Sequence, residues 1–526
     1  MESNLKLPNV ASVSTPQHDA TLLRSWLWQP NLIVFISSGC IMILELVAGR
    51  IIAPYVGVSL YTWTSVIGVV LAGISLGNYL GGRLADRWAS LRFLGGIFLV
   101  AGLSSFGVLL VDTLGRLPMD QWSVVGEILL LTTALFFVPS VILGGISPVV
   151  AKLAVQDLAK TGSTVGKIYA AGTAGSIVGT FATGFVLISW LGTHTIVWCV
   201  GVLLLGMGLL FVAGHRWQWL LGGGLVIVAV SLGAINLGWL RGPCTLETNY
   251  FCIKVRDVVR NDEQVRILVL DRLVHSHSSL DDPTKLVYGY EQMYAEITAH
   301  RARSDDHLRA LFIGGGGYTF PRYMEAVYPG SDIHVIEIDP AVTQVAHNLL
   351  GLKPDTKIET YNQDARLFLE QEPAGAYDLI VGDAFNDFSV PYHLTTKEFN
   401  DRVRAWLADD GLYVVNIIDG ATGDFLRAYI HTLRQTFAHV YLAPVSAAWR
   451  ESPRTTFVLV ATNAPLNPAT FEQVSAGDGQ PLFADRLLTP AQIDAIVSEG
   501  HLVLLTDAYA PVDQMLAPVF RGETDR

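Results

Sequence analysis

Two patterns of apolar and polar positions divide the chain. Up to about Leu240 charges are sparse and apolar runs of about twenty residues recur, the length a helix needs to cross about 30 Å of hydrocarbon. After Arg241 the charge density rises and apolar residues alternate with polar ones, as in a water-soluble domain. The first half predicts about seven spans: 31–53, 60–82, 92–112, 124–147, 167–190, 194–213 and 218–240. The fourth and fifth are the least regular. Pro139, Gly144, Gly145 and Pro148 leave open a re-entrant break in the fourth, and the glycines of GTAGSIVGTFATG point to close helix contacts through small residues in the fifth.

Lys and Arg concentrate in alternate loops. Arg83, Arg87 and Arg92 follow the second span, Lys152, Lys160 and Lys167 the fourth, and Arg216 the sixth, while the opposite loops show little beyond Arg116. These loops are expected inside with the N-terminus, which with an odd span count leaves the second half outside the cytoplasm. A re-entrant fourth segment would reverse that side. Glu45 and Glu127 sit at membrane depth, where an ionisable group needs a partner, a proton or a polar cavity. Arg50 is a loose partner for Glu45, and both a structural pairing and a ligand or proton role stay open for that residue. GNYLGGRLADR (77–87) resembles the loop signature of major facilitator transporters, which ties neighbouring helices together; seven spans are too few for a complete transporter of that kind.

In the second half, NYFCIKVRDVV and VRILVLDRLVHSH alternate at period two and are broken near Asn261 and Asp262, which predicts short antiparallel strands in a small β-domain at 241–284. A helical stretch KLVYGYEQMYAEITAH follows. Strands then alternate with helices through ALFIGGGG, DIHVIEID, IETYNQDA, YDLIVGDA, GLYVVNIID and FVLVAT, the signature of a doubly wound, mainly parallel sheet. The expected division is a tail at 1–30, a membrane domain at 31–240, the β-domain, and an α/β domain at 285–526.

Composition agrees with this division. The 51% hydrophobic content and mean hydropathy of +0.40 exceed what soluble chains carry, and the net charge of −12 argues against nucleic acid, whose phosphates demand a basic face. Met1 to about Gln29 lacks an early apolar core, so a short disordered tail is expected rather than a cleavable signal. Cys40 and Cys199 fall inside spans. Cys244 and Cys252 lie just past the last one, eight positions apart, and can pair if that side of the membrane is oxidising.

Doubly wound sheets bind ligands at the carboxyl ends of their strands, and four ends here carry chemistry. Gly314, Gly315 and Gly316 allow the backbone to approach a ligand. Glu337, about twenty residues on, suits two ribose hydroxyls, whereas Asp339 before Pro340 reads as a helix cap. Asp364, with Ala365 after it, is placed for an adenine amine, and Asp383 for holding or deprotonating an amine nucleophile. Each has a plain reading as a turn or a cap; their joint order points to a nucleoside site without a metal.

The succession LDRLVHSHSSLDD, YGYEQM, IGGGG, IEID, QDA and YDLIVGDAF resembles the spermidine synthase (aminopropyltransferase) family, and more closely its membrane-fused branch, over about residues 251–420. The resemblance implies a β-domain ahead of a methyltransferase-like, Rossmann-type sheet. It implies decarboxylated S-adenosylmethionine or S-adenosylmethionine as co-substrate, Glu337 on the ribose, Asp364 and Ala365 at the adenine, and Asp383 and Tyr290 in the catalytic set. Gln292 then lines the donor site, with His275, Ser276 and Asp282 in the entrance segment. Two departures stand out. Where the synthases have an Asp after the glycines to grip the donor's amine, this chain has Tyr318, and where they have a second Asp for the polyamine it has Asn386, with Asp387 next door as a substitute.

Three functions follow: aminopropyl transfer to an amine or polyamine, methyl transfer to a hydrophobic or membrane-borne acceptor, or a nucleoside-sensing or scaffold domain on a partial transporter fold. The first expects an acidic acceptor channel near Asp383 and Asp387. The second expects a pocket open to the bilayer. The third expects a pocket filled by its own side chains, Tyr318 foremost. The expected setting is a bacterial inner membrane, with a homodimer as the candidate assembly. An extracytoplasmic soluble half would need its donor delivered through the membrane half.

Overall fold

The computed structural model describes residues 29–519, apart from 118–121, 156, 214–215, 261–262, 304–306, 374, 386–389, 421 and 472–481. The expected tail lies almost wholly outside the described residues. Among the described residues, seven helical runs are long and apolar enough to cross a membrane: Pro30–Val56, Leu60–Trp88, Leu91–Leu114, Val125–Ala154, Leu158–Trp190, Thr193–Ala213 and Gln218–Asn236. Large apolar side chains such as Phe185, Trp190 and Leu225 point outward from them, which in water would be an unmanageable patch and in lipid is the solvated surface.

The fourth run corrects one expectation, because it continues as a helix rather than turning back. It passes a π-helical stretch at Thr133–Phe137, carries Pro139 in the first turn of the next segment, and bends at Gly145. Its glycines serve contact with the second span. A Cβ on Gly144 would come within 2.8 Å of the Ile74 carbonyl, and one on Gly81 within 2.6 Å of Gly145. The first and fifth spans meet in the same way, with Gly179 against Gly39 at 2.6 Å. At the end expected inside, Lys152 bonds Asp86 at 2.9 Å, so the transporter-like loop ties helices together.

Arg50 does not pair with Glu45. Its guanidinium turns to the carbonyls of Thr248, Asn249 and Tyr250, just past the last span. Glu247 accepts from the Thr193 N–H at 3.0 Å, so the linker is fastened to the ends of two spans. Cys244 and Cys252 are joined by a disulfide.

The small sheet runs in order β1 (Leu246–Glu247), β2 (Cys252–Arg260), β3 (Glu263–Leu270) and β4 (Leu273–Ser278), all antiparallel. Helix α1 (Gly289–Ala302) comes next and starts four residues later than the pattern predicts, because Leu286 bridges Ser278 at the edge of β4.

The large sheet contains β5 (Arg309–Ile313), β6 (Asp332–Ile336), β7 (Glu359–Tyr361), β8 (Tyr377–Gly382), β9 (Leu407–Asp419), β10 (His439–Pro444) and β11 (Thr455–Thr462). Its order is β10-β11-β9-β8-β5-β6-β7. The five strands from β9 to β7 are parallel, and β11 and β10 add an antiparallel hairpin. β10 was not legible in the sequence: HVYLAP is short and ends in proline, which suits only an edge. The strand order reverses between β5 and β8, so the carboxyl ends of Ile313 and Gly382 open one crevice.

Candidate active site

The crevice is a cavity of about 380 Å3 walled by β4, the start of α1, the loop after β5, and the ends of β8, β9 and β11. Gly314 takes φ 98, a left-handed conformation that suits glycine, and a Cβ there would stand 2.6 Å from the Asp383 carbonyl. A Cβ on Gly317 would collide with Ser276 Oγ. The loop backbone therefore packs directly on the Ser276 and Ser278 side chains of β4, with the cavity along their seam.

Asp383 follows β8, anchored by its N–H on the Ile313 carbonyl at 3.0 Å. Asn416 Nδ2 donates to its Oδ1 at 2.9 Å. Burial pushes this carboxyl up to about 6, while the Asn416 bond pulls the other way. Glu291 shares the cavity and is pushed well above the carboxylate range by burial, with the charge of Asp383 adding to it. Two acids in one buried site thus separate into one that ionises near neutrality and one held protonated. Tyr290 and Tyr294, edge to face at 5.4 Å, form the aromatic wall, their hydroxyls held protonated by burial. His275 also faces the cavity; burial pushes it down to about 4, so it is neutral at pH 7.

Glu337 stands behind the loop. Its Oε2 accepts the Gly315 N–H at 2.8 Å and its Oε1 the Asp339 N–H at 3.0 Å. The Gly316 N–H is a third backbone donor to this carboxylate, and a carboxylate offers about four lone-pair sites, so capacity for one more donor, such as a ribose hydroxyl, remains.

No family model matches the chain. It is 30% identical over 173 residues to the polyamine aminopropyltransferase of Vibrio vulnificus, covering 32% of this chain and 55% of that one. It therefore spans about half the length of that relative. It is 25% identical over 424 residues to the polyamine aminopropyltransferase of Corynebacterium efficiens, covering 76% of this chain and 79% of that one. That match is too long to be confined to the soluble half. The chain is similar in sequence to polyamine aminopropyltransferases. A probable spermidine synthase from Corynebacterium glutamicum overlays 50% of the chain and 95% of its own length, with 20% identity and a TM-score of 0.44.

In this chain, several residues singled out from the sequence stand away from the cavity. Tyr318, a candidate substrate-binding or pocket-filling residue, is not among the residues that line the cavity. It is fully buried with φ 56, and its hydroxyl meets Thr343 at 2.9 Å and Thr360 at 3.1 Å on the far side of the loop. A left-handed backbone directs its side chain into the core, which the sequence does not reveal. Gln292 points off the donor site and donates to the Leu286 carbonyl at 2.9 Å. Asp364 caps the helix at Ala365–Leu369: Oδ1 accepts from Arg366 N and Leu367 N, and Oδ2 meets His393 Nε2 at 3.1 Å. Ala365 is buried at that helix start. Asp339 caps its helix as expected, with Oδ1 on the Ala341 N–H at 3.0 Å. Asn386 and Asp387 lie outside the described residues.

The structure also brings in residues that sequence reasoning missed. Tyr294 follows Tyr290 by four positions on one helix face and Glu291 lines the same cavity beside it, but a Glu in a helix reads as a solvated residue. Asn416 sits inside an apolar strand, VVNII, where a lone amide was a usable signal. Arg272 and Arg454 also line the cavity.

Proposed function

We propose that the soluble half transfers an aminopropyl group from decarboxylated S-adenosylmethionine to an amine. The observation that carries the reading is Asp383, a carboxyl brought to about 6 by burial, facing the same open cavity as a glycine loop backed by Glu337. In the reaction, the lone pair of a neutral amine forms a bond to the carbon beside the sulfonium. The carbon–sulfur bond breaks, its electron pair stays on sulfur as a neutral thioether, and the proton released by the amine passes to Asp383. The leaving group needs no acid, so the remaining work is positioning. Tyr290 and Tyr294 offer ring faces to the cationic donor, and Glu337 is assigned to the ribose. Asp364 and Ala365 are assigned to the adenine edge, by reorientation of the cap or through the Ala365 N–H.

Tyr318 favours a second reading. With no carboxylate at that position to grip an amine, S-adenosylmethionine itself is a candidate donor and a methyl group the cargo. Calorimetric titration of the detergent-purified protein with methylthioadenosine, S-adenosylmethionine and its decarboxylated form separates the two. Tighter binding of the decarboxylated form, lost in Glu337→Ala, is the expected result; preference for S-adenosylmethionine supports methyl transfer, and no binding of any of the three refutes both.

The proposed setting is a bacterial inner membrane with the N-terminus cytoplasmic and the soluble half outside, working as a homodimer. The proposed functional units are 31–240, 241–284 and 285–526. The odd span count, the Lys and Arg bias, and the Cys244–Cys252 disulfide, which oxidising compartments sustain, support the sidedness. A membrane-impermeant thiol reagent applied to intact cells after reduction labels these cysteines only if that side is correct.

A further inference from the structure

The first span reaches the glycine loop through a continuous series of hydrogen bonds. Arg50 lies near the C-terminal end of the helix Pro30–Val56, where an arginine ordinarily extends its charge toward water or headgroups. Here its guanidinium instead donates to the Asn249 and Tyr250 carbonyls at 2.8 Å each and to that of Thr248. A rigid fork on three successive carbonyls fixes the turn they belong to. Inside that turn the Thr248 hydroxyl accepts from the Tyr250 N–H at 3.0 Å and the Phe251 N–H at 2.9 Å. Both its lone pairs are then in use. Its one proton goes to Asp339 Oδ2, 2.5 Å away, rather than to the Phe251 carbonyl at 3.3 Å.

Asp339 passes the constraint on. It is buried, its Oδ1 holds the Ala341 N–H, and its own N–H donates to Glu337 Oε1 at 3.0 Å. Glu337 takes two further backbone donors, the Gly315 N–H at 2.8 Å and the Gly316 N–H. With three of its roughly four lone-pair sites held by backbone, the direction of the last is set by where those N–H groups stand. The seam between the halves has other fastenings: Glu247 accepts from the Thr193 N–H, and the Ser189 hydroxyl donates to Asn249 Oδ1 at 2.9 Å. Docking of the two halves therefore does not depend on Arg50 alone, whereas the route through Thr248 to Glu337 begins with it.

We propose that Arg50, in the membrane half, is a positioning residue for the donor: acting through Thr248 and Asp339, it aims the free lone pair of Glu337 at a ribose hydroxyl. This rests on the assignment of Glu337 to the ribose made above, and it gives the membrane half a part in donor recognition.

The test is calorimetric titration of the detergent-purified full chain with methylthioadenosine. Arg50→Gln and Thr248→Val are each expected to raise the Kd by about fivefold while the number of sites stays the same. Because the two residues act in series, the double variant should also lose about fivefold, not the roughly 25-fold of independent changes. Arg50→Lys keeps the charge without the fork and should show the same loss; it takes the place of Arg50→Gln should that variant fail to fold. Lys152→Gln breaks the exposed pair with Asp86 at the other end of the spans and should leave the Kd unchanged. An unchanged Kd in the Arg50 variants, losses that multiply in the double variant, or fewer sites at an unchanged Kd overturns the proposal, as does an equal loss in Lys152→Gln. Absence of binding by the wild type instead strikes the donor-site reading beneath it.

Discussion

Replacing Asp383 by Asn is expected to stabilise the protein while stopping its chemistry. The carboxyl has an ordinary value of 3.8 and is brought to about 6 in the fold. Between those values the folded chain holds a proton that the unfolded chain has released, so stability falls as pH rises through that window and levels off above it. At 1.36 kcal/mol per pH unit the gap amounts to about 3 kcal/mol at pH 8, an upper value because the carboxylate also faces the open cavity, and to about half of that at pH 5. Asp383→Asn removes the ionisation and keeps an oxygen to accept from Asn416 Nδ2. Thermal unfolding of both proteins from pH 5 to pH 8 should therefore show a gain for the variant that grows with pH. Over the same range the wild-type rate should rise toward a plateau above about pH 6, and the variant should lose roughly 100-fold or more. A gain independent of pH, or a variant less stable at pH 8, would refute the assignment of a buried, charge-bearing carboxyl at this position.

Four further outcomes test the surroundings. Thr248 Oγ1 donates to Asp339 Oδ2 at 2.5 Å, and the Asp339 N–H holds Glu337, so Thr248→Val should weaken methylthioadenosine binding by about fivefold while Thr248→Ser keeps it, as read by calorimetry. Tyr318→Phe, which loses the contacts to Thr343 and Thr360, should lower stability by about 1–2 kcal/mol without altering the preference among donors. Gly317→Ala should cost about 1–3 kcal/mol by driving a Cβ into Ser276 Oγ, with Ser276→Gly restoring part of the loss in thermal melts. Cys244→Ser opens a loop of eight positions and should lower the unfolding temperature in step with about 2.5 kcal/mol; a reductant should have the same effect on the wild type and none on the variant.

Much of this protein was written in local pattern. Hydrocarbon thickness fixes the length of an apolar run, so seven spans were readable one by one. Strand alternation, a glycine-ended strand, and acids at the next strand ends indicated a nucleoside-type sheet, because these features depend on neighbours within a few residues. Asp339 as a cap followed from the proline beside it. Tertiary structure decided whatever depends on where a side chain points or on what crosses it from a distant segment. Gly144 and Gly145 looked like breaks until the second span was packed against them, and Tyr318 looked like a pocket residue until its left-handed backbone turned it into the core. Arg50 found its partners about two hundred residues away, beyond any local pairing rule. Glu291, Asn416, Arg272 and Arg454 converge on one cavity from four elements, and only the strand registers bring them together.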